Sequence, residues 1–272
     1  MEKYLELDIG NSFCKWRLLQ NQKALDEGKI VTKELENITI DNEGVKPCLS
    51  ADSKTWLLTQ GSFTNIENHQ LDGVYICSVA SDHCNKVLKQ IARELWKHEP
   101  NVFKTQHHTA GVKNSYQDPS KMGADRWLVS ISAVHKYPNR CLYVVDCGSA
   151  INIEILSQNA EHLGGYIIPG IGMMQNTLLK NTAKVSKAIP ELRLGPGKET
   201  GSNVANGSLF TAVAVIEKLQ RKAEQEKGFV LLTGGDAVVL KNYLDMHNVK
   251  YIPDLVMDGF ECWRRVLRNE EY

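Results

Sequence analysis

Three aspartates stand where a carboxylate can take part in phosphate chemistry. Asp8 and Asp146 each end an apolar stretch and precede a glycine turn, in the segments DIGN and DCGS, and Asp125 follows Gly-Ala and precedes an arginine. A glycine turn exposes consecutive backbone N–H groups that suit phosphate oxygens, and an aspartate at a strand end can hold a cation that screens them. Asp125 can accept the proton of a substrate hydroxyl, which is the base that phosphoryl transfer needs.

Each of these features also has a purely structural interpretation. Asp-Gly turns between two strands are common hairpins, and an aspartate at the start of a helix acts as a cap that contributes about 1 kcal/mol. The pattern alone favours hairpins and, for Asp125, the cap. A third glycine turn, TGGDA with Gly234 and Gly235, lets a flat ligand such as adenine lie on bare backbone. The three turns together favour a nucleotide-binding protein.

Missing motifs disfavour other chemistries. The segment GPGK at 195–198 is not a P-loop, because Leu192 stands where the first glycine of GxxxxGK[ST] belongs. No GxGxxG follows a strand, and neither HExxH nor GxSxG occurs. The pair His107-His108 has no third ligand nearby and is expected to be solvated. The seven cysteines include no CxxC pair, so we expect reduced thiols and no zinc site.

The composition is that of an ordinary globular protein. The 272 residues carry 32 basic and 32 acidic side chains, and 42% of the residues are hydrophobic. With zero net charge, the protein has no excess of positive charge with which to bind nucleic acid or an anionic membrane surface. No window approaches the ~18 apolar residues of a membrane span, and the N-terminus lacks the pattern of a signal peptide. We expect a cytoplasmic protein with no nucleic-acid or membrane partner.

Alternating strands and helices must position the glycine turns. Apolar runs bounded by turn residues predict strands at 4–8, 15–19, 73–79, 141–145, 151–156, 162–168 and 229–232. Apolar residues at helical spacing predict helices at 85–96, 125–135, 173–185, 208–221 and 238–246, and the Gly-, Ser- and Thr-rich segment 195–207 predicts a loop. The β-turn-β pattern around Asp8 recurs 138 positions later around Asp146. This predicts two similar domains, 1–115 and 116–272.

Six segments carry a resemblance to a known family. In order along nearly the whole chain they are DIGNS at 8–12, YxxPxxMGADRW at 116–127, DCGSA at 146–150, HLGGYIIPG at 162–170, NTA at 181–183 and TGGDA at 233–237. Together they resemble type III pantothenate kinases. GADR and HLGGYIxPG are specific, whereas DxGN and TGGDA are shared with the wider superfamily of acetate kinase, sugar kinases, Hsp70 and actin.

The resemblance implies a fold and a reaction. The fold is two ribonuclease H-like α/β domains around a central cleft, in a homodimer. The first domain holds the first phosphate turn, and the second holds the substrate, second phosphate and adenosine motifs. The reaction is ATP-dependent phosphorylation of the primary hydroxyl of pantothenate to 4′-phosphopantothenate, the first step towards coenzyme A, with Mg²⁺ accompanying ATP.

The resemblance also implies roles for individual residues. Asp125 is the general base, and Asp146 binds a monovalent cation, K⁺ or NH₄⁺. Carried over from the family, the ATP-binding residues are Asp8, Ile9, Gly10, Asn11, Ser12, Phe13, Cys14, Lys15, Ser149, Gly234 and Gly235. The pantothenate-binding residues are Tyr116, Gly123, Ala124, Asp125, Arg126 and Thr182. Ser12 and Ser149 stand where threonine is usual, and both keep the hydroxyl.

Three alternative functions stay open. A kinase of the same superfamily can act on another hydroxylated small molecule, and a panel of substrates separates this alternative. A transcription accessory protein of the same fold would not need the complete GADR motif. A nucleotide-binding chaperone fragment would not need Tyr116, GADR and HLGGY together.

Overall fold

The computed structural model describes residues 1–41, 44–47, 66, 70–181 and 191–270. Contacts divide the chain into two compact units, Met1–Thr105 with Ser120–Leu128 and Gln106–Pro119 with Val129–Tyr272. The domain boundary between residues 115 and 116 stays a prediction. Among the described residues, no helix is both long enough and apolar enough to cross a membrane.

The first unit is built on one five-stranded sheet. Its elements are β1 (Lys3–Ile9), β2 (Phe13–Gln20), β3 (Lys23–Val31), α1 (Thr32–Glu36), β4 (Ile38–Asp41), β5 (Gly44–Pro47), β6 (Gly73–Ser78), α2 (Asp82–Glu94) and β7 (Asn101–Val102). The strand order is β3-β2-β1-β6-β7, and β4 pairs with β5 in a separate hairpin. The first three strands are antiparallel neighbours, whereas β6 runs parallel to β1 and β7 parallel to β6.

Burial on both faces of β1 fixes this sheet. Its apolar residues have no more than 7% of their surface exposed, and Glu6 is fully buried. That carboxylate is paired with the Arg17 guanidinium on the neighbouring strand at 2.8 Å, which offsets the cost of burying its charge. Helix α2 packs against this sheet through Val87, Leu88 and Ile91. It begins where the Ser81 hydroxyl accepts a hydrogen bond from the Cys84 N–H at 3.3 Å. The turn that follows β1 is therefore attached to a fully packed strand.

The second unit repeats this architecture. Its elements are β8 (His108–Thr109), β9 (Val112–Lys113), β10 (Leu142–Cys147), β11 (Ala150–Leu156), β12 (His162–Pro169), α4 (Ile171–Asn181), α5 (Thr200–Gln225), β13 (Phe229–Thr233), α6 (Ala237–Leu240), β14 (Val249–Tyr251) and α7 (Leu255–Leu267). Helix α3 (Ala124–Lys136) has its first five residues in the first unit and the rest in the second. Single 3-10 turns lie at Pro119–Lys121 and Lys241–Tyr243.

The second sheet has the order β12-β11-β10-β13-β14. Three antiparallel strands are again followed by two parallel ones, with β13 parallel to β10 and β14 parallel to β13. The recurring β-turn-β pattern is thus the start of the same topology in both units, and the predicted α/β class is confirmed.

Two predicted elements are wrong. The segment 195–207 is not all loop, because α5 begins at Thr200. The Ser202 hydroxyl accepts the Glu199 N–H at 3.3 Å and starts the helix, and Ala205 and Leu209 continue its buried face despite the glycines around them. The helix predicted over 238–246 is only the short α6 followed by a 3-10 turn. The predicted helix over 173–185 is described as far as Asn181, and the rest of it lies outside the described residues.

Candidate functional site

The first glycine turn joins β1 to β2. The Gly10 N–H donates to the Phe13 carbonyl at 2.9 Å, the Thr32 hydroxyl donates to the Gly10 carbonyl at 2.8 Å, and the Thr32 N–H donates to the Ser12 carbonyl at 3.0 Å. These bonds hold the carbonyl groups of the turn and fix its shape. In the part of the chain that the structure describes, the nearest non-neighbouring atom to a Cβ at Gly10 is the Phe13 carbonyl oxygen, at 3.4 Å. The fold itself therefore leaves space above this glycine.

Asp8 and Asp125 lie at the same edge of the first unit. Asp8 pairs with Cys77 across β1 and β6, and burial followed by the charges of Asp8 and Asp125 raises the pKa of the Cys77 thiol well above its ordinary value. Gly123, just before α3, has its Cβ position 3.5 Å from the Val79 side chain at the end of β6. The structure thus brings the predicted base and Asp8, at the start of the first predicted phosphate turn, close to the same thiol, although 117 positions separate them in sequence.

The start of α3 explains why a glycine precedes Asp125. A Cβ at Gly123 would stand 2.6 Å from the Asp125 Oδ1, so a larger residue would displace the carboxylate. That oxygen accepts the Arg126 N–H at 2.8 Å, in the first turn of the helix, where a negative charge is stabilised. Arg126 is 8% exposed and Trp127 is fully buried, which anchors the turn.

The second glycine turn joins β10 to β11 in the second unit. The Gly148 N–H donates to the Ala150 carbonyl, and the Gly170 N–H donates to the Ser149 carbonyl, both at 3.0 Å. A Cβ at Gly170 would overlap the carbonyl oxygens of Gly148 and Ser149, so glycine is required there for close approach. For a Cβ at Gly148, by contrast, the nearest non-neighbouring atom among the described residues is the Ala150 oxygen, at 3.8 Å.

The third glycine turn packs directly against the second. Gly234 has a φ of +90°, and a Cβ on it would overlap the Asp146 carboxylate and the Cys147 carbonyl. The Asp236 N–H donates to the Cys147 carbonyl at 2.9 Å. Apart from its chain neighbours, no heavy atom of the described residues lies within 4 Å of a Cβ built on Gly235. The predicted cation ligand and the predicted adenosine turn are therefore neighbours at the carboxyl ends of β10 and β13.

Tyr116 lies beside a buried hydrogen-bonded network of side chains that the sequence analysis did not identify. His162 Nε2 lies 2.9 Å from the Glu154 carboxylate, and its Nδ1 lies 3.0 Å from the Ser115 hydroxyl. The rings of Tyr116 and His162 are 6.0 Å apart, centre to centre. The side chains of His162 and Glu154 are both almost fully buried. A glutamate inside the apolar strand AINIEIL was the available sequence signal, since a buried carboxylate needs a partner.

We expect this buried pair to support the second unit. Replacing Glu154 with leucine keeps the bulk but removes the acceptor of the His162 N–H, so the free energy of unfolding is expected to fall by about 1–3 kcal/mol. Urea unfolding measures it. The matched control is Glu161→Leu on the same hairpin, whose exposed pair with Lys113 is worth ~0–1 kcal/mol. Equal stability of the Glu154 variant and the wild type would contradict a supporting role.

The remaining predicted residues are placed as follows. Ile9 and Cys14 turn their side chains into the core of the first unit, where burial raises the pKa of the Cys14 thiol well above its ordinary value. They can reach a ligand only through their backbone. Lys15 pairs with Asp8 across β1 and β2 and is half-buried. Thr182 lies outside the described residues. Within the described ranges, no group of three His, Cys, Asp or Glu side chains is arranged to hold a metal ion.

Comparisons with known proteins cover almost the whole chain. The family model described as type III pantothenate kinase matches residues 4–222. A type III pantothenate kinase of Alcanivorax borkumensis is 33% identical over 260 residues, which are 94% of this chain and 96% of that protein.

Solved structures bear on the fold. A conserved Campylobacter jejuni protein described as a Baf family transcriptional activator is 21% identical, with a TM-score of 0.54 over 97% of this chain and 99% of its own. MreB 5 of Spiroplasma citri is 11% identical, with a TM-score of 0.50 over 99% and 98%. The predicted actin- and Hsp70-like fold class is thereby confirmed. Because the sequence match extends over nearly the full length, the chain belongs to the type III pantothenate kinase family.

Proposed function

We propose that the chain transfers the γ-phosphoryl group of ATP to the primary hydroxyl of pantothenate, with Asp125 as the general base. The hydroxyl oxygen forms a bond to the γ-phosphorus, the bond to the β–γ bridging oxygen breaks, the proton passes to Asp125, and ADP leaves. The observation that supports the proposal is that Asp8, at the start of the first glycine turn, and Asp125 both lie close enough to the Cys77 thiol for their charges to raise its pKa. Phosphoryl transfer is catalysed mainly by such positioning and charge neutralisation.

Both glycine turns are proposed to bind phosphates of ATP. The first turn supplies Asp8, Gly10–Ser12 and Lys15, with backbone groups alone from Ile9, Phe13 and Cys14. The second unit supplies Ser149, Gly234 and Gly235. Open space above Gly10 and Gly148 supports this, because phosphate oxygens can approach the bare backbone there. Mg²⁺ fits beside Asp8, since it prefers carboxylate and phosphate oxygens, and it would neutralise charge on the transferring group.

Pantothenate is proposed to bind at Tyr116, at the turn of Gly123, Ala124, Asp125 and Arg126, and at Thr182. The Arg126 guanidinium suits the carboxylate of this substrate, because its fork of donors matches two carboxylate oxygens. The buried His162 ring lies beside Tyr116, with the two ring centres 6.0 Å apart.

A coupled assay of ADP release tests the proposal. Pantothenate is offered as acceptor with and without KCl, beside a panel of sugars and N-acetylhexosamines. Turnover specific to pantothenate supports the proposal. Turnover with a sugar alone would assign the chain to another substrate, and no turnover with any acceptor would overturn its kinase activity.

Asp146 is proposed to bind K⁺ or NH₄⁺. Its carboxylate lies at the turn that also presents the Ser149 hydroxyl, and hard oxygen donors suit such cations. We expect Asp146→Asn to lose the activation of ADP release by KCl that the wild type shows. Asp245→Asn, an exposed carboxylate of the same unit, is the control and is expected to keep it. A KCl titration of both variants decides, and unchanged activation of Asp146→Asn would place the cation elsewhere.

A homodimer is proposed from an apolar edge of the second unit. Strand β12 is an edge strand, and Leu163, Tyr166 and Ile167 on it are 55–60% exposed. Phe210 on α5, 61% exposed, joins Tyr166 in lining a cavity of about 580 Å³. Exposed apolar edges of this kind pair with another chain. Sedimentation equilibrium tests it: a mass of twice 30.5 kDa supports the dimer, and 30.5 kDa contradicts it.

A further inference from the structure

The loop that carries Tyr116 has no regular secondary structure. Residues 114–118 lie between β9 and the 3-10 turn at Pro119–Lys121 and belong to neither a helix nor a strand. Loops are more mobile than the elements they connect, and binding residues on them are positioned by the scaffold around them. The position of Tyr116, the residue of this loop that is proposed to bind pantothenate, therefore depends on what holds residues 114–116.

Asn114 fixes the backbone of the loop on one side. Its side-chain oxygen accepts the Tyr116 N–H at 2.9 Å, which bends the chain as an Asx turn does. Its side-chain amide donates to the Gln106 carbonyl at 3.3 Å, and its backbone N–H donates to the His107 carbonyl at 2.8 Å. Asn114 is only 6% exposed, so these hydrogen bonds are largely shielded from water. They tie the loop to the segment that precedes β8.

Ser115 ties the loop to the second sheet. Its hydroxyl, on an exposed residue, lies 3.0 Å from His162 Nδ1 on β12, and His162 Nε2 lies 2.9 Å from the Glu154 carboxylate on β11. Glu154 and His162 are at most 2% exposed, so the far end of this network is fixed in the unit. The Tyr116 ring lies beside the same imidazole. The Ser115 hydroxyl and the Tyr116 ring thus share one buried neighbour.

The HLGGY motif provides the room that this network needs. A Cβ at Gly165 would overlap the Ile153 carbonyl oxygen and would lie 2.9 Å from Glu154 Oε2, the oxygen that is bonded to His162. A side chain at position 165 would therefore push the carboxylate away from the imidazole. The motif supplies both His162 and the space that its partner occupies.

We propose that Ser115 is a positioning residue for pantothenate: its hydrogen bond to the buried His162–Glu154 pair holds the loop so that Tyr116 is in place before the substrate binds. The inference rests on the proposed role of Tyr116 and adds what orders that residue. A loop that is already ordered loses less conformational entropy on binding, which tightens the binding of the substrate. None of the residues proposed to bind ATP belongs to this network, so its loss affects pantothenate selectively.

Replacing Ser115 with alanine tests the inference, because it removes the hydroxyl at an exposed position. The KM for pantothenate is expected to rise about five- to thirtyfold, the cost of ordering roughly one residue of backbone on binding. The turnover number and the KM for ATP are expected to stay at their wild-type values. Ser115→Thr keeps the hydroxyl and is expected to restore most of the affinity. Initial rates of ADP release, measured against each substrate in turn, give all three quantities.

The matched control is Ser157→Ala, a serine of the β11–β12 hairpin that carries Glu154 and His162. The Ser157 hydroxyl accepts the N–H groups of Asn159 and Glu161, both at 3.2 Å, in the turn of that hairpin. A general weakening of the hairpin would appear in this variant too, and a thermal melt of both variants measures it. The control is expected to keep the wild-type KM for pantothenate. An equal rise of KM in both variants would overturn the inference.

A double-mutant cycle shows whether Ser115 acts through Tyr116. Tyr116→Ala removes the side chain that is being positioned, so adding Ser115→Ala to it is expected to raise the KM for pantothenate by less than about twofold further. Two effects that simply multiply would mean that Ser115 acts independently of Tyr116, and the inference would fail.

The outcomes also separate this inference from the proposed function. An unchanged KM for pantothenate in Ser115→Ala, while Tyr116→Ala raises it, would overturn the inference alone. An unchanged KM in Tyr116→Ala would remove that tyrosine from the substrate site and the inference with it. A wild-type chain that phosphorylates no pantothenate would overturn both the proposed function and the inference.

Discussion

Replacing Asp125 with asparagine is expected to lower the turnover number for pantothenate phosphorylation by about 10²-fold or more, the contribution of a positioned general base. Asparagine has nearly the same shape and can still accept the Arg126 N–H that Asp125 accepts at 2.8 Å. What it cannot do is take a proton from the substrate hydroxyl. The substitution therefore removes the base while keeping the first turn of α3 and the space beside Gly123.

Folding and chemistry are measured separately for this variant. The turnover number comes from ADP release at saturating substrates, and the stability from a thermal melt. The structural interpretation of Asp125 as a helix cap predicts the reverse, a loss of about 1 kcal/mol of stability with little loss of turnover. The control is Asp258→Asn, which also removes an acid from a first helical turn but lies on α7. A variant at position 125 with most of the wild-type turnover would exclude the proposed role.

The sequence predicts the elements whose signal is local. The strands flanking Asp8 and Asp146 are apolar and end at glycine turns, so their positions follow from pattern alone. Strand β3 escapes prediction because, in KALDEGKIV, only Ile30 is buried. The start of helix α5 is missed for a different reason: its first turns carry glycine and serine, which have weak helix propensity, and burial of Ala205, Asn206 and Leu209 outweighs it.

The arrangement of the site depends on contacts between distant parts of the chain. Asp125 and Asp8 lie at the same edge of the first unit because β6 pairs in parallel with β1 and the start of α3 lies near Val79, and no local pattern specifies that. Likewise, the His162 side chain meets Ser115 and Glu154 only through the fold of the second unit. Family resemblance assigns residues to roles, but a partner such as Glu154 becomes visible only in the structure.

Substituting alanine for Gly148 is expected to raise the KM for ATP about 10- to 100-fold with little change in stability. The nearest atom to the added Cβ is 3.8 Å away, and Gly148 is not among the glycines with positive φ, so the fold accommodates the methyl group. A phosphate lying on the bare backbone is pushed away by that group. Losing one hydrogen bond from the backbone to a charged oxygen costs about 1.5–3 kcal/mol, which gives the expected range.

Gly234→Ala is the contrasting variant. Its φ of +90° and the overlap of a Cβ with the Asp146 carboxylate make glycine a requirement of the fold there, so this variant is expected to lose stability, by more than about 1 kcal/mol. Urea unfolding and initial rates against ATP concentration are measured for both variants. Because the two glycines lie at adjoining turns, they distinguish a glycine kept for the ligand from one kept for the backbone. An unaltered KM for ATP in a folded Gly148→Ala enzyme would mean that no phosphate lies on the second turn, and the assignment of both turns to ATP would fail with it.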